Sequence, residues 1–210
     1  TIAAWTDAGW RVDYLVCTAG DGGTADPTLT AAALMAARQA EQRAAADLLG
    51  VADVTFLPHS DGFLEHTLDL RRDIVRAVRR SRPDRAVCFD PQPRWFPDYV
   101  NHRDHYVCGE AALAALFPAA RERLHFPELI AEGLEPHKTM EIWLLASLQP
   151  NHFVDIAPTL ERKIAAMWAH ASQVGDGQQA ADTLIRRAAD AGSQADPPLA
   201  AAEAFRVIQM

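Results

Sequence analysis

Cysteine is scarce in this sequence, and its spacing argues against two kinds of structure. The three cysteines, Cys17, Cys88 and Cys108, include no pair spaced as CxxC. An odd number without that spacing argues against a disulfide framework and against a zinc knuckle built on cysteine ligands. This usage is typical of a reducing compartment, so we expect a cytoplasmic protein.

Long apolar runs and an excess of positive charge are absent as well. No apolar run approaches the roughly 20 residues that cross a bilayer, so the sequence predicts no membrane span. The 20 basic and 28 acidic residues give a net charge of −8. Because nucleic-acid binding needs clustered Lys and Arg, we expect no nucleic-acid partner. The oligomeric state stays open, and a homo-oligomer is compatible with the sequence.

The motifs of two common classes of site are also missing. The glycine-rich stretch at residues 20–23 follows a predicted strand, but it contains neither GxGxxG nor GxxxxGK(S/T). We therefore interpret it as a flexible loop beside a substrate rather than a phosphate-binding loop. No GxSxG motif is present, so a serine nucleophile is not supported.

The composition is that of an ordinary globular domain, with 49% hydrophobic and 23% charged residues. Nearly continuous apolar runs predict strands at residues 12–18, 54–57, 85–90, 140–146 and 152–156. Ala-rich or amphipathic stretches predict helices at residues 30–49, 67–82, 102–117 and 158–170. This alternation predicts an α/β fold. We expect a single Rossmann-like domain whose doubly wound, mostly parallel sheet has helices on both faces.

The loops after residues 18, 57 and 90 are the places to look for a site, since ligands bind beyond the carboxyl ends of parallel strands. The third loop leads into the densest polar group, Asn101-His102-Arg103-Asp104-His105. His102 and His105 project to one face of a first helical turn. Imidazoles there can ligate a divalent metal or carry a proton, with Asp104 orienting a ring. A solvated helix start with incidental histidines is the alternative interpretation.

Polar residues in the other two regions also have plain alternatives. Arg38 and Glu41 have helical spacing, and an i,i+3 surface pair would explain them. Asp61 and Gly62 together are explained by a turn alone. A functional role for these residues therefore depends on their context.

Taken in order, the segments resemble one family. They are VDYLVCTAGDGG, Arg38-x-x-Glu41, LPHSDGFL, RPDRAVCFDP, HRDH and KIAAMWAHASQ. The succession resembles the PIG-L (LmbE-like) zinc-dependent N-deacetylases over nearly the whole chain through Val174. HRDH together with the last segment is specific, whereas any single segment is weak evidence. The resemblance assigns residues 1–174 to the deacetylase domain and leaves residues 175–210 as a C-terminal helical arm.

This resemblance implies a metal-dependent hydrolase that removes the acetyl group from an N-acetylglucosamine-type sugar or sugar conjugate, cleaving a linear C–N amide bond. It implies Zn²⁺ or another divalent metal as cofactor, with His105 as one ligand. His102 would be the general acid or oxyanion stabiliser, and Asp104 would be its partner. The candidates for binding the hydroxyls of a small amino-sugar substrate are Arg38, Asp61 and, more weakly, Asp21.

Part of the family's site is not found in this sequence. In the family, two further metal ligands and the general base come from an AHPDD motif that ends a first strand. The resemblance places that strand and motif just before Thr1, so we expect residues 1–210 alone to hold metal incompletely and to be inactive. The alternative is a non-catalytic sugar- or partner-binding relative. The residues encoded immediately before Thr1 distinguish the two.

Three aromatic residues, Trp95, Phe96 and Tyr99, lie in the loop before HRDH. With a sugar substrate, they would form an apolar platform on which a ring stacks. A loop pinned to its own core explains them equally well, so both interpretations stay open.

Overall fold

The computed structural model describes residues 1–210, and the chain divides into two compact units. Unit 1 comprises residues 1–60 and 152–204, and unit 2 comprises residues 61–151 and 205–210. In chain order, the helices and strands are α1 (Ile2–Asp7), β1 (Asp13–Thr18), α2 (Ala31–Leu49), β2 (Asp53–His59), α3 (Leu68–Ser81), β3 (Arg85–Phe89), β4 (Trp95–Phe96), β5 (Tyr99–Val100), α4 (Arg103–Ala114), α5 (Pro127–Ala131), β6 (Glu141–Leu145), β7 (His152–Asp155), α6 (Leu160–Trp168), α7 (Ala171–Val174), α8 (Gly177–Ser193) and β8 (Ala202–Gln209). None of these helices combines the length and the apolar character that crossing a membrane requires.

Unit 1 contains a parallel pair of strands, β1 and β2, that α2 connects. The ends of α2 follow from local sequence signals. The Thr30 hydroxyl oxygen accepts the N–H of Ala33, and Gly50 ends the helix in the left-handed region with φ of 75°. The helix packs against α6 in the same unit. The predicted strand–helix–strand succession is therefore present in unit 1.

Unit 2 contains a mixed sheet in which β6 lies between β3 and the last part of β8. β3 is parallel to β6, and β8 runs antiparallel to β6 from Phe205, opposite Leu145, to Gln209, opposite Glu141. The predicted α/β class is confirmed. The sheet is mixed rather than purely parallel, because an antiparallel strand from the end of the chain joins it.

The structure differs from the sequence-based prediction in three further places. The predicted C-terminal helical arm contains α8 but ends in β8, where aromatic and β-branched residues favour a strand. The helix predicted over residues 102–117 gives way to a π-helical turn after Ala114, and Phe117 is non-helical because Pro118 follows it. The loop predicted at residues 91–100 contains the short antiparallel hairpin of β4 and β5. The division of the chain at residue 174 stays a prediction.

Close packing of α4 against β3 positions the polar group at the start of α4. A Cβ atom on Gly109 would lie 2.3 Å from the carbonyl oxygen of Phe89, so only glycine allows this approach. One turn earlier, the ring of His105 stacks on the ring of Phe89, with centroids 4.2 Å apart and an interplanar angle of 6°. The first turn of α4 is thereby fixed at the carboxyl end of β3.

We expect Gly109→Ala to destabilise the protein by about 1–3 kcal/mol, because the added methyl group forces α4 away from β3. Thermal or urea unfolding followed by circular dichroism measures the change. Glu110→Ala is the control, since this neighbouring side chain is exposed and its replacement is expected to cost less than about 1 kcal/mol. Equal stability of Gly109→Ala and the wild type would contradict the close approach.

Candidate active site

His102 caps the N-terminus of α4 with its imidazole ring. The ring's Nδ1 accepts the backbone N–H of Asp104 at 3.3 Å, and the backbone of His102 is extended, with φ of −61° and ψ of 134°. A cap of this kind satisfies one of the free N–H groups at the helix start. Since Nδ1 accepts, the proton of the neutral ring lies on Nε2. His102 is exposed and offers an N–H donor at that atom.

His105 is held on two sides by unit 2. Its Nδ1 lies 3.2 Å from the Oδ1 of Asn101, and its ring stacks on Phe89. Burial lowers the pKa of His105 below its ordinary value, and the neighbouring His102 lowers it further, against the opposing effect of the carboxylates of Asp104 and Asp61. A lowered pKa favours the neutral imidazole, which is the form that binds a metal.

The carboxylate of Asp104 is buried, with 6% of the residue exposed, and it holds a loop. One oxygen accepts the backbone N–H of Gly62 at 2.7 Å, and the other accepts that of Leu64 at 3.2 Å. The sequence predicts Asp104 as a partner for a histidine ring, but these oxygens bind backbone amides. The contact with His102 is made by the Asp104 N–H instead. A role of the carboxylate in orienting the ring of His102 stays a prediction.

Asp61, His102 and Asp104 form a group that can hold a metal ion. One ligand atom from each lies within 4.8 Å of the others. Carboxylate and imidazole together suit Zn²⁺ and similar divalent cations. Asp61, predicted from sequence as a sugar-binding residue, is therefore brought beside the two catalytic candidates. His105, the predicted ligand, is outside this group, with its ring centroid 5.4 Å from that of His102.

Arg38 lies in unit 1 and organises the glycine-rich loop there. Its guanidinium donates to the carbonyl oxygens of Gly20, Gly22 and Gly23, at 3.2, 2.6 and 3.0 Å. Its planar fork suits this multiple contact. A role in binding sugar hydroxyls stays a prediction for Arg38, as it does for Asp21 in the same loop.

Glu41 also makes a contact within unit 1. Its carboxylate accepts both the backbone N–H and the hydroxyl of Ser172, at 2.8 and 2.7 Å. The two residues of Arg38-x-x-Glu41 therefore bind different segments. Arg38 binds the loop after β1, and Glu41 binds the first turn of α7. These contacts account for the spacing without a surface pair between the two residues.

The aromatic hairpin of β4 and β5 turns outward in part. Trp95 is 71% exposed and Tyr99 is also exposed, while Phe96 stacks on Tyr99 with centroids 4.8 Å apart. Phe63, in the loop that Asp104 holds, is another exposed ring. The sequence left open whether the loop before HRDH is pinned to the core. Two of its three rings are exposed, and a role in contact with a ligand stays a prediction.

Two residues that contact His105 are not predicted as site residues from the sequence. Asn101 belongs to the polar cluster without a predicted role, and Phe89 is predicted only as part of a buried strand. The signal for Asn101 was its i,i+4 spacing to His105, which places the two side chains on one face. Nothing in the local sequence indicates the stacking of Phe89, since that depends on the approach of α4 to β3.

The family model of the GlcNAc-PI de-N-acetylases, PIG-L, matches residues 1–116, which include Arg38, Asp61 and the cluster at residues 101–105. This chain belongs to the PIG-L family. The predicted family resemblance is thus confirmed.

Similarity to individual proteins extends further along the chain. This chain is 35% identical over 173 residues to diacetylchitobiose deacetylase of Thermococcus kodakarensis, and the alignment covers 82% of this chain and 63% of that protein. It is 29% identical over 181 residues to the probable N-acetyl-alpha-D-glucosaminyl L-malate deacetylase 2 of Bacillus anthracis, covering 82% of this chain and 73% of that protein. The chain therefore spans less than two thirds of the length of the Thermococcus relative.

A solved structure supports the same fold. The structure of N,N'-diacetylchitobiose deacetylase from Pyrococcus horikoshii, in complex with an inhibitor, aligns with a TM-score of 0.90 at 29% identity. The alignment covers 99% of this chain and 76% of that chain. The match extends over nearly all residues, in agreement with the predicted single α/β domain.

We expect Asp104→Asn to release one of the two amides that the carboxylate holds, because an amide side chain offers one acceptor oxygen in place of two. A donor left without its acceptor costs about 1–3 kcal/mol. Hydrogen exchange at the N–H groups of Gly62 and Leu64 measures the effect, and one of them should lose protection. Glu110→Gln, on the same helix, is the control. Unchanged protection of both amides in Asp104→Asn would contradict this role.

Proposed function

We propose that this protein is a metal-dependent deacetylase that removes the acetyl group from an N-acetylglucosamine-type sugar or sugar conjugate. One observation carries the proposal. In a chain of the PIG-L family, the start of α4 places the imidazoles of His102 and His105 beside each other, with ring centroids 5.4 Å apart, and the carboxylates of Asp61 and Asp104 lie close to His102. The relatives named as diacetylchitobiose deacetylases support an amino-sugar substrate.

A divalent metal, which we propose to be Zn²⁺, fits the donor set around α4. Its contribution when bound is that of a Lewis acid, which polarises an amide carbonyl and lowers the pKa of water to about 7. We assign His105 as a ligand, because burial lowers its pKa and so favours the neutral ring, and because Asn101 and Phe89 hold that ring in place. The group of Asp61, His102 and Asp104 is the competing donor set in the same unit.

His102 has the properties of the residue that acts on the departing amine. Its Nε2–H points away from the cap contact and can donate to a developing oxyanion or to the sugar nitrogen. Asp104 contributes by holding the loop that carries Asp61 and Phe63. Asp61 is our candidate in unit 2 for binding sugar hydroxyls, and the same role is proposed separately for Arg38 and Asp21 within unit 1.

The exposed rings of the β4–β5 hairpin are our candidates for contact with the sugar, and they also suit a second candidate function. Trp95 and Tyr99 offer apolar faces on which a pyranose ring can stack. A sugar-binding relative without hydrolytic activity would use the same faces, so it is the second candidate. A cytoplasmic location, predicted from the cysteine usage, belongs to the same proposal.

Separate substitutions of the two histidines test the roles. In the full-length gene product, we expect His105→Ala to lose bound metal and activity together. We expect His102→Ala to retain the metal, while kcat falls by about 10²–10⁴-fold with little change in KM, because it removes a proton donor used in the transition state. Zinc content by atomic absorption and acetate release from diacetylchitobiose are the measurements. His125→Ala, outside the group, is the control.

The outcomes separate the alternatives. If His102→Ala loses its zinc and His105→Ala keeps it, the group of Asp61, His102 and Asp104 holds the metal. If the wild type binds the disaccharide but releases no acetate, the sugar-binding function replaces the enzyme. If both variants retain full activity, the histidines only begin a helix.

A further inference from the structure

Asn101 links the ring of His105 to the base of the aromatic hairpin. The residue is 7% exposed, and its side-chain amide has two partners. The Nδ2 atom donates to the carbonyl oxygen of Pro93 at 2.8 Å, and the Oδ1 atom lies 3.2 Å from the Nδ1 of His105. Its backbone is also anchored, since its N–H donates to the carbonyl oxygen of Arg94 at 3.0 Å.

These contacts fix which way the amide faces. A backbone carbonyl oxygen only accepts hydrogen bonds, so the atom of Asn101 that faces Pro93 has to be the nitrogen. The oxygen then faces His105, and an amide oxygen only accepts. The hydrogen bond to His105 is therefore made only when the Nδ1 of the ring carries a proton.

We propose that Asn101 is a positioning residue that holds neutral His105 as the Nδ1–H tautomer, with the lone pair on Nε2 free to bind a metal. The Pro93 carbonyl selects the tautomer by orienting the amide. The consequence for metal binding rests on the proposed function, in which His105 is a ligand, whereas the tautomer itself does not.

The surroundings of His105 oppose the alternative ring orientation. A half-turn of the ring about its Cβ–Cγ bond would replace Nδ1 by a carbon atom opposite Asn101 and lose the hydrogen bond. The ring of Phe89 stacks on the imidazole with centroids 4.2 Å apart, which fixes the plane of the ring. The hydrogen bond to Asn101 then fixes which ring atom faces the amide. Together the two contacts determine both where the ring lies and where its proton sits.

His102 provides an internal comparison with the opposite result. Its Nδ1 accepts from the backbone N–H of Asp104, so its proton lies on Nε2. Two imidazoles three residues apart thus present different groups, an N–H donor from His102 and a lone pair from His105. The difference arises from their Nδ1 partners, one a donor and the other an acceptor.

Long-range ¹H–¹⁵N NMR of the metal-free protein tests the proposal, at a pH where both rings are neutral. In the wild type, we expect His105 to be protonated at Nδ1 and His102 at Nε2. Asn101→Leu removes the acceptor, so His105 should lose its preference for Nδ1–H. Asn101→Asp keeps an acceptor and should retain it. Asn151→Leu is the control, since that side chain binds only the backbone of Val207.

Zinc affinity of the same variants, made in the full-length gene product, provides the second measurement. Contacts that orient a metal-bound histidine are worth about 10–100-fold in affinity, so Asn101→Leu should weaken zinc binding by that factor while Asn151→Leu should not. A wild-type His105 protonated at Nε2 overturns the inference, whether or not the protein deacetylates sugars, and this measurement requires no variant to fold. If Asn101→Leu changes the tautomer and leaves zinc affinity unchanged, the tautomer control by Asn101 stands, and His105 is not the ligand that the proposed function requires.

Discussion

The free N–H groups at the start of α4 impose a requirement that shapes the whole polar cluster. A first helical turn needs acceptors from outside the helix, and serine, threonine, asparagine and aspartate are the usual ones. Three other helices of this protein follow that rule, with side-chain caps from Thr30, Thr67 and Asp176. In α4, the acceptor is the imidazole of His102, at 3.3 Å. This cap uses the Nδ1 of the ring and leaves Nε2 exposed as a donor.

The buried carboxylate of Asp104 links the start of α4 to the loop that contains Gly62 and Leu64. A buried carboxylate is costly unless its oxygens are hydrogen-bonded. Here the donors are the backbone N–H groups of Gly62 and Leu64, and Gly62 adopts a positive φ of 84° that suits glycine. These two hydrogen bonds hold the loop against α4. Phe63 lies between the two bonded residues in the sequence, and Asp61 comes directly before them. One buried charge thus determines the position of a potential metal ligand and of an exposed aromatic ring.

The parts of the fold that local sequence determines were predicted well. The bounds of α2 depend on Thr30 and Gly50, which lie next to the helix, and the start of α4 was predicted correctly at His102. β8 was not predicted. Its aromatic and β-branched residues favour a strand, but its partner, β6, is about 60 residues away along the chain, and local sequence does not contain that pairing.

The site was predictable to the same extent and for the same reason. HRDH could be located from its position after a strand, but the partners of its side chains could not. The orientation of the Asn101 amide depends on the carbonyl group of Pro93, eight residues earlier. The stacking of Phe89 on His105 depends on the close packing of α4 against β3 that Gly109 allows. Arg38 is predicted to bind substrate, and its attachment to the glycine loop could not be predicted because it depends on how that loop folds back onto α2. Residue type and spacing therefore identified where chemistry could occur, and non-local contacts decided which atom of each residue is available.

The two histidines show why that distinction matters for function. An HxxH pair with both lone pairs free would act as a clamp for one metal ion, and a pair with both N–H groups free would act as a site for an anion. In this protein, one ring presents each kind of group, because one Nδ1 faces a backbone donor and the other faces an amide oxygen. Hydrolysis of an amide needs both kinds, one to bind the group that polarises the carbonyl and one to donate a proton as the C–N bond breaks. The mixed arrangement therefore suits a deacetylase better than it suits a purely structural metal site, in which every ring would have to offer its lone pair.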